Sequence, residues 1–235
     1  MSNELDTNKH VWENMFDWIH SRGGHRRYPN ETVVTWLLGY AKTDHPNKRV
    51  LDVGCGWSQC LPLFMNEGFE YVGIDVTDKG FLDPGLIQRQ GWADRTRLEL
   101  FVPPLLEGFA DASFSHAIST EALHLNSTPE AMQAIVNEVH RVLMPGGRFL
   151  ATVMRPDYWY MPNGGATWVG EETIEVNENH VEKNRIGARY FVFKDQARIR
   201  HYFERFSKIY IGRECRVFGE YPEKFLSHWI ISVEK

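Results

Sequence analysis

The sequence contains no long apolar run. None of its hydrophobic stretches approaches the roughly 20 residues that a helix needs to cross a bilayer, so no membrane span is predicted. The first nine residues are polar, whereas a secretory signal has a basic segment followed by an apolar core. A cytoplasmic protein is therefore expected.

Cysteine is scarce. The three cysteines, Cys55, Cys60 and Cys215, make an odd number and contain no Cys-x-x-Cys pair. They predict neither a disulfide framework nor a metal site, and they agree with a reducing compartment. The ten histidines show no recognisable zinc spacing, so no metal is predicted.

Positive charge is not concentrated in any long run. The formal net charge is -5, which argues against a broad nucleic-acid interface. The short cluster at 25–27 either holds one phosphate or is a solvated turn. With 235 residues and 43% hydrophobic content, the chain can bury one sizeable core, and a single domain is expected.

The most informative segment is Arg49 to Gly56, in which an apolar strand ends on two closely spaced glycines. Such a turn brings backbone close to a nucleotide-like ligand, although the same pattern also occurs in ordinary tight turns. A second strand, Tyr71 to Asp75, ends on a carboxylate about 20 residues beyond the first glycine, where related folds place the acid that binds ribose hydroxyls. An adenosine cofactor is predicted.

Strands and helices alternate along the chain, which is the pattern of a doubly wound Rossmann-like α/β fold. The sheet is expected to be mostly parallel and to close with one antiparallel strand near the C-terminus. The predicted parallel strands are Arg49 to Val53, Tyr71 to Asp75, Leu98 to Val102, Phe114 to Ser119 and Arg148 to Met154, followed by Ser207 to Arg213 and His228 to Val233.

Two segments stand outside this alternation. Residues 1–45 hold helical patterns that predict an N-terminal cap, with Asn30 capping its second helix. Residues 155–194 are rich in glycine and aromatics and contain two strand-like runs, 173–176 and 188–193. They form an insertion between the fifth and sixth strands, either a lid over the acceptor pocket or a structural hairpin.

The chain resembles the class I S-adenosylmethionine-dependent methyltransferases, in particular their small-molecule branch. Four motifs carry the resemblance in order: Val50-Leu51-Asp52-Val53-Gly54-Cys55-Gly56, Val72-Gly73-Ile74-Asp75, Asp111-Ala112-Ser113-Phe114-Ser115-His116-Ala117-Ile118, and Glu138 to Arg148. The resemblance implies a methyltransferase domain over 1–235 and S-adenosylmethionine as cofactor. The methyl group would pass to an acceptor oxygen or nitrogen by direct in-line displacement.

The same resemblance assigns the cofactor site. Gly54 and Gly56 would let the backbone approach the methionine part, Asp52 would help to hold its amino group, and Asp75 would bind the ribose hydroxyls. Val102 and Thr120 complete the predicted cofactor-binding set.

Two positions depart from the family pattern. Ser58 replaces a third glycine and is expected to cap the next helix instead. Pro103 stands where the family often has an acid that meets the adenine amino group, so backbone groups around Val102 or apolar contact from Phe101 and Leu105 would have to substitute.

A catalytic base is sought after the fourth strand, because ligands of open α/β sheets bind at the carboxyl edge. That segment contains Glu121 and His124. His124 is predicted as the base and Glu121 as its helper, and the alternative is a His124 that only packs or hydrogen-bonds in a loop.

Acceptor-binding residues are predicted from segments that flank this edge. They are Arg26 and Tyr28 in the N-terminal segment and Arg155 and Tyr158 after the fifth strand. Arginine suits a phosphate or carboxylate, so the acceptor is expected to be a small molecule, anionic or sugar-linked by analogy with the family, and not a nucleic acid or a membrane.

Two alternatives remain open from the sequence. A nicotinamide-dependent oxidoreductase is opposed by Gln59, which stands where the dinucleotide pattern needs its third glycine. A non-catalytic S-adenosylmethionine-binding protein has only Pro103 in its support.

Overall fold

A computed structural model of the chain describes residues 2–24, 27–41, 45–161 and 164–235. His25 and Arg26, two residues of the basic cluster singled out in the sequence, lie outside the described residues. Side chains are described from Asn8 onwards in the first helix.

The described residues form two sheets, and the larger one has seven strands and confirms the predicted fold class. Its order is β3-β2-β1-β4-β5-β10-β9; the first five strands are parallel, and β10 is antiparallel to both of its neighbours. The strands of both sheets are β1 (Arg49–Val53), β2 (Glu70–Asp75), β3 (Thr96–Leu100), β4 (Phe114–Thr120), β5 (Leu143–Met154), β6 (Ala166–Trp168), β7 (Thr173–Val176), β8 (Arg189–Phe191), β9 (Lys208–Phe218) and β10 (Tyr221–Glu234).

The third strand lies earlier in the chain than the sequence predicts. Its pairing with β2 runs from Tyr71 opposite Thr96 to Asp75 opposite Leu100. Val102 is therefore beyond the end of the strand. The last two strands are longer than predicted, because their mutual pairing continues past the core into an exposed hairpin.

Helices lie before, between and after the strands. Asn30, Thr128 and Asp195 each accept a hydrogen bond from a backbone N–H in the first turn of the helix that follows, as a capping residue does. The described helices are α1 (Ser2–Ser21), α2 (Glu31–Gly39), α3 (Leu61–Asn66), α4 (Pro84–Arg89), α5 (Pro129–Val142) and α6 (Gln196–Tyr202), and none of them is long and apolar enough to span a bilayer.

The predicted cap at Ser58 is wrong. The residue preceding α3 is Cys60, and no side chain caps that helix. Ser58 instead has a φ of 51° in the turn before it, and its carbonyl accepts the N–H of Leu61.

Apolar side chains pack on both faces of the large sheet. Alternation along β1 sends Leu51 and Val53 into the cluster formed with α5 and α6, and Val50 into the cluster formed with α2 and α3. The same period of two places Asp52 on the side of Val50, where Tyr71 is also buried.

The segment 155–194 builds a small antiparallel sheet, β6-β7-β8. Both strand-like runs predicted from the sequence are present as β7 and β8, and β6 is an additional strand. Its apolar residues pack with Val11 of α1 and Met154 of β5 in a third cluster. The small sheet therefore lies beside the carboxyl end of β5.

The first helix is fixed to this small sheet by one buried amide. Asn8 donates to the carbonyls of Leu125 and Arg189 at 3.2 and 3.0 Å, and its oxygen accepts the N–H of Arg189 at 2.9 Å. Asp17, farther along α1, pairs with Lys79 at 2.6 Å. Both ends of α1 are thus attached around the carboxyl edge of the large sheet.

Candidate active site

A cavity of about 410 Å³ opens at the carboxyl edge of the large sheet, between α1 and the small sheet. Its lining divides into two parts. The glycine end consists of Gly54, Gly56, Asp75, Phe101, Pro103 and Thr120, and the aromatic end of Trp12, Tyr158, Trp159, Tyr160, Arg185 and Tyr190.

The turn after β1 forms the floor of the glycine end. Gly54 and Gly56 have φ values of 75° and 48°, in the left-handed region that glycine adopts at little cost. The N–H groups of Gly54 and Cys55 donate to the carbonyl of Ile74 at 2.8 and 3.0 Å. A Cβ on Gly54 would lie 2.3 Å from the Cβ of Ala122, so the backbone itself is packed against the turn after β4.

Asp75 lies at the end of β2 and lines the cavity, where the sequence predicts a ribose-binding acid. Oδ2 accepts the N–H of Gly56 at 2.9 Å and Oδ1 accepts that of Thr77 at 3.3 Å. Burial raises the pKa of Asp75, and these backbone donors act in the opposite direction. The carboxylate is held rigidly and keeps acceptor capacity for a ligand hydroxyl.

Asp52 does not line the cavity, in contrast to its predicted contact with the cofactor amino group. It is buried behind the glycine turn, and its Oδ2 accepts the hydroxyl of Tyr71 at 2.5 Å while Oδ1 has no partner among the described residues. Burial raises the pKa of Asp52 from an ordinary 3.8 to about 7; the Tyr71 hydrogen bond opposes this shift and Asp75 adds to it. Its direct role in cofactor binding stays a prediction. Its buried position is that of a residue that supports the glycine turn after β1 from behind.

The adenine side of the glycine end is apolar. Phe101 and Pro103 line the cavity, and the N–H of Phe101 donates to the carbonyl of Asp75. Val102 and Leu105 are exposed, Val102 to 77%, and neither is part of the cavity lining. Of the apolar side chains that could substitute for an adenine-binding acid, the structure therefore favours Phe101 over Leu105, and the contact with backbone groups around Val102 stays a prediction.

Thr120, the last residue of β4, and Glu121, which follows it, both line the cavity, and their predicted cofactor and helper roles stay predictions. Glu121 has a φ of 56°, and its N–H donates to the carbonyl and the hydroxyl oxygen of Thr152. Its carboxylate adds to the effect of burial in raising the pKa of Tyr158. Glu121 thus acts on the aromatic end of the cavity.

His124 also lines the cavity, but its environment is unsuited to a base. Its Nδ1 accepts the N–H of Met154 at 3.4 Å, which leaves the proton on Nε2. Burial, followed by nearby His228 and Arg185, lowers the pKa of His124 to about 3. The base role stays a prediction, and the geometry favours His124 as a neutral hydrogen-bond donor.

Aromatic side chains dominate the other end of the cavity. Tyr158 was predicted there, and its ring lies 4.9 Å from that of Tyr160, which is 5.9 Å from that of Tyr190. Tyr160 and Trp159 could be anticipated, because they belong to the aromatic run at 158–160. Trp12 belongs to the N-terminal segment from which acceptor contacts were predicted, whereas Tyr190 comes from β8 and carries no local signal of a site.

Arg185 is the cation of the aromatic end, and no sequence motif pointed to it. Its Nε donates to Glu182 Oε2 at 2.7 Å, and its guanidinium carbon lies 5.6 Å from the centre of the Trp12 ring. Its two terminal nitrogens make no hydrogen bond to the residues that the structure describes. Arg185 therefore keeps donors for a ligand in the cavity.

Two predicted acceptor contacts, Tyr28 and Arg155, are not brought into the cavity. Tyr28 is 82% exposed at the surface. The predicted contact at Arg26 lies outside the described residues and stays a prediction. Arg155 forms an ion pair with Asp157 at 3.0 Å, and its guanidinium lies over the ring of Trp229. Its charge is therefore already paired within the protein. The presence of an arginine in a loop after a strand does not by itself predict whether its side chain enters the cavity.

A second histidine at the cavity was missed. His228 of β10 lines it, with Nδ1 3.3 Å from Oε1 of Glu214 on β9. The two residues are 14 apart in the sequence and meet only through strand pairing. Within the parts of the chain that are described, no three His, Cys, Asp or Glu side chains cluster as metal ligands.

The glycine end fits an adenosyl cofactor. A bare backbone turn, a buried carboxylate at the end of the second strand and an apolar wall occur together, and the cavity continues to the aromatic end. Gly56 leaves room above the turn, where a Cβ would lie 3.8 Å from its nearest neighbour, Phe16. These are the groups that a ribose, an adenine ring and a methionine chain require.

Comparison with known proteins agrees with this geometry. A family model described as a methyltransferase domain matches residues 51–151. An uncharacterized methyltransferase of Synechocystis sp. is 26% identical over 165 residues, covering 63% of this chain and 69% of that protein.

Solved structures share the fold at low identity. An S-adenosylmethionine-dependent methyltransferase from Methanosarcina mazei is 16% identical, with a TM-score of 0.62 over 88% of this chain and 98% of that one. The 1,6-didemethyltoxoflavin-N1-methyltransferase of Burkholderia thailandensis, solved with its acceptor and S-adenosylhomocysteine, is 18% identical, with a TM-score of 0.52 over 87% and 85%.

Substitution of Gly54 by alanine should lower the unfolding free energy more than the same substitution at another glycine with a positive φ. We expect Gly54→Ala to lose roughly 2–5 kcal/mol of unfolding free energy, since backbone strain adds to overpacking against Ala122. Gly108→Ala is the control, because Gly108 has a φ of 86° with nothing within 4 Å. Urea unfolding measures both, and equal losses would contradict the close packing of the two turns.

The carboxyl of Asp52 should make stability fall as the pH rises. The folded chain keeps this carboxyl protonated up to about pH 7, whereas the unfolded chain ionises it near 3.8. Relative to Asp52→Asn, the wild-type unfolding free energy should therefore decline between these pH values, by at most about 1.4 kcal/mol per pH unit. Exposed Asp78→Asn is the control, and a wild type that gains stability over this range would refute the assignment.

Proposed function

We propose that this chain, a class I S-adenosylmethionine-dependent methyltransferase, methylates an oxygen or nitrogen of a small planar acceptor that carries an anionic group. Arg185 carries the proposal. It is a guanidinium with unused donors inside an aromatic-lined cavity, and that cavity is continuous with the glycine end. The match of residues 51–151 to a methyltransferase domain supports this class over the oxidoreductase and non-catalytic alternatives.

The glycine end would hold the cofactor. Asp75 would accept the ribose hydroxyls, Phe101 and Pro103 would contact the adenine, and the backbone at Gly54 and Gly56 would lie along the methionine chain. The cofactor supplies a sulfonium whose methyl group is already activated for transfer. The chain therefore mainly has to bind and orient the acceptor and exclude water.

The aromatic end would hold the acceptor. Tyrosine and tryptophan rings favour flat apolar molecules through stacking and edge contacts. The cations along the cavity wall are Lys9, Arg185 and Lys224, and the carboxylates outside the ribose site are Glu121 and Glu182. Glu182 is bonded to Nε of Arg185 only, so the two terminal nitrogens of that guanidinium keep donors that favour an anionic group on the acceptor.

Two segments would close the site around the acceptor. Residues 1–45 include α1, whose Trp12, Met15 and Phe16 line the cavity. Residues 155–194 contribute most of the aromatic end. We infer that the former acts as a cap and the latter as a lid, and the attachment of α1 to β8 through Asn8 would couple their positions.

A matched pair of probes tests the acceptor class. We expect methyl transfer to 4-hydroxybenzoate to exceed transfer to its neutral methyl ester, measured as S-adenosylhomocysteine released. Arg185→Gln should lower kcat/KM for the acid by roughly 10- to 100-fold, the worth of a hydrogen bond to a charged group, and leave the ester unchanged.

Arg89→Gln, an exposed arginine on α4, serves as the control for this experiment. Equal losses for acid and ester in Arg185→Gln would show that Arg185 supports structure and does not bind the anionic group. Preference of the wild type for the ester would contradict the proposed acceptor class.

A further inference from the structure

We propose that Glu214 and His228 form a carboxylate–imidazole pair in which His228 is the catalytic base that removes the acceptor's proton and Glu214 is the positioning residue. This inference rests on the proposed function and deepens it. An acceptor that needs such a pair is a weakly acidic hydroxyl or ring N–H, which loses its proton as the methyl group arrives.

Strand register brings the two residues together, with His228 in the wall of the cavity and Glu214 behind it, on a separate groove beside α2. His228 pairs with Met154 at the carboxyl end of β5 and with Glu214 on β9. Because β10 is antiparallel to β5, its early residues lie beside the ligand edge of the sheet. The side chains of His228 and Glu214 are 3% and 13% exposed.

Glu214 is well held on its far side. Its Oε2 accepts the hydroxyl of Thr32 on α2 and lies 3.5 Å from Nη2 of Arg216. The contact with His228 lowers the pKa of Glu214 to about 2. Thr32 and Arg216 act in the same direction, and burial acts against them. An ionised carboxylate beside Nδ1 fixes the proton on that nitrogen.

The other nitrogen of His228 is the one available to a ligand. Nε2 makes no hydrogen bond to any described residue, and it is not among the fully buried polar atoms that lack a partner, while His228 lines the cavity. The two histidines of the cavity thus differ. Backbone donation to Nδ1 makes His124 a donor at Nε2, and Glu214 makes His228 an acceptor there.

Several ionisable groups face His228 or Glu214. Besides the pair itself they are Arg216 from β9, His124 from the turn after β4, Tyr158 from the segment after β5, and Glu121 beside Tyr158. Glu214 is the carboxylate in direct contact with the imidazole.

The proton and electron balance of the step is simple. The acceptor oxygen or nitrogen forms a bond to the methyl carbon as the bond between methyl and sulfur breaks, and that electron pair stays on sulfur as a thioether. The proton of the acceptor passes to Nε2 of His228. The imidazolium that results is stabilised by Glu214 and later gives its proton to water.

The tautomer of His228 tests the pair independently of any acceptor. In ¹⁵N NMR spectra of the protein saturated with S-adenosylhomocysteine, we expect neutral His228 to carry its proton on Nδ1. In Glu214→Gln the amide can donate to Nδ1, so the proton should move to Nε2. A wild-type proton on Nε2, or a tautomer that the substitution does not change, would overturn the proposal.

A coloured probe tests proton acceptance itself. The phenol of 4-hydroxy-3-nitrobenzoate changes its absorption on ionisation, and its carboxylate suits Arg185. Bound to the S-adenosylhomocysteine complex, it should ionise at a lower pH than in solution, and His228→Gln should abolish most of that shift. A shift that persists in His228→Gln would overturn the base role.

The exposed pair His201 and Glu204, 4.0 Å apart on the surface, provides the control substitutions His201→Gln and Glu204→Gln. Unchanged S-adenosylhomocysteine affinity shows that each variant is folded. If the probe fails to bind the wild type, the acceptor class is contradicted, and the tautomer result still decides the pair.

Discussion

The site depends on close packing between two backbone turns at the carboxyl edge of the sheet. Gly54 after β1 lies against Ala122 after β4, with no space for a Cβ between them. In this packed turn the N–H groups of Gly54 and Cys55 donate hydrogen bonds to the carbonyl of Ile74, and the N–H of Gly56 donates to the carboxylate of Asp75. Three neighbouring strand ends are thereby locked into one rigid surface.

Burial then separates the roles of similar groups. Asp75 faces the cavity with backbone donors on both oxygens, whereas Asp52 lies behind the turn with a tyrosine hydroxyl as its partner. His124 and His228 divide in the same way, since a backbone donor faces Nδ1 of one and a carboxylate faces that of the other. Residue type alone does not assign function here; the immediate partner does.

Local patterns in the sequence predicted the fold and the glycine end well. The apolar run and the two glycines defined β1 and its turn, and the spacing to Asp75 identified the second strand end. The resemblance assigned Asp52 a cofactor contact, but its side chain lies on the buried side of the turn and not in the cavity lining, so that role stays a prediction, as does the backbone contact at Val102. Arg185, Tyr190 and the Glu214–His228 pair depend on packing between distant segments and on strand register, which no local pattern encodes.

Calorimetric titration of the wild type and of Asp75→Ala with S-adenosylhomocysteine, with NAD as the competing ligand, tests the central claim most directly. The geometry of the glycine end predicts micromolar binding of S-adenosylhomocysteine by the wild type, its loss in Asp75→Ala, and no binding of NAD. Unchanged binding in Asp75→Ala would contradict the assigned cofactor site, and binding of NAD alone would contradict the enzyme class.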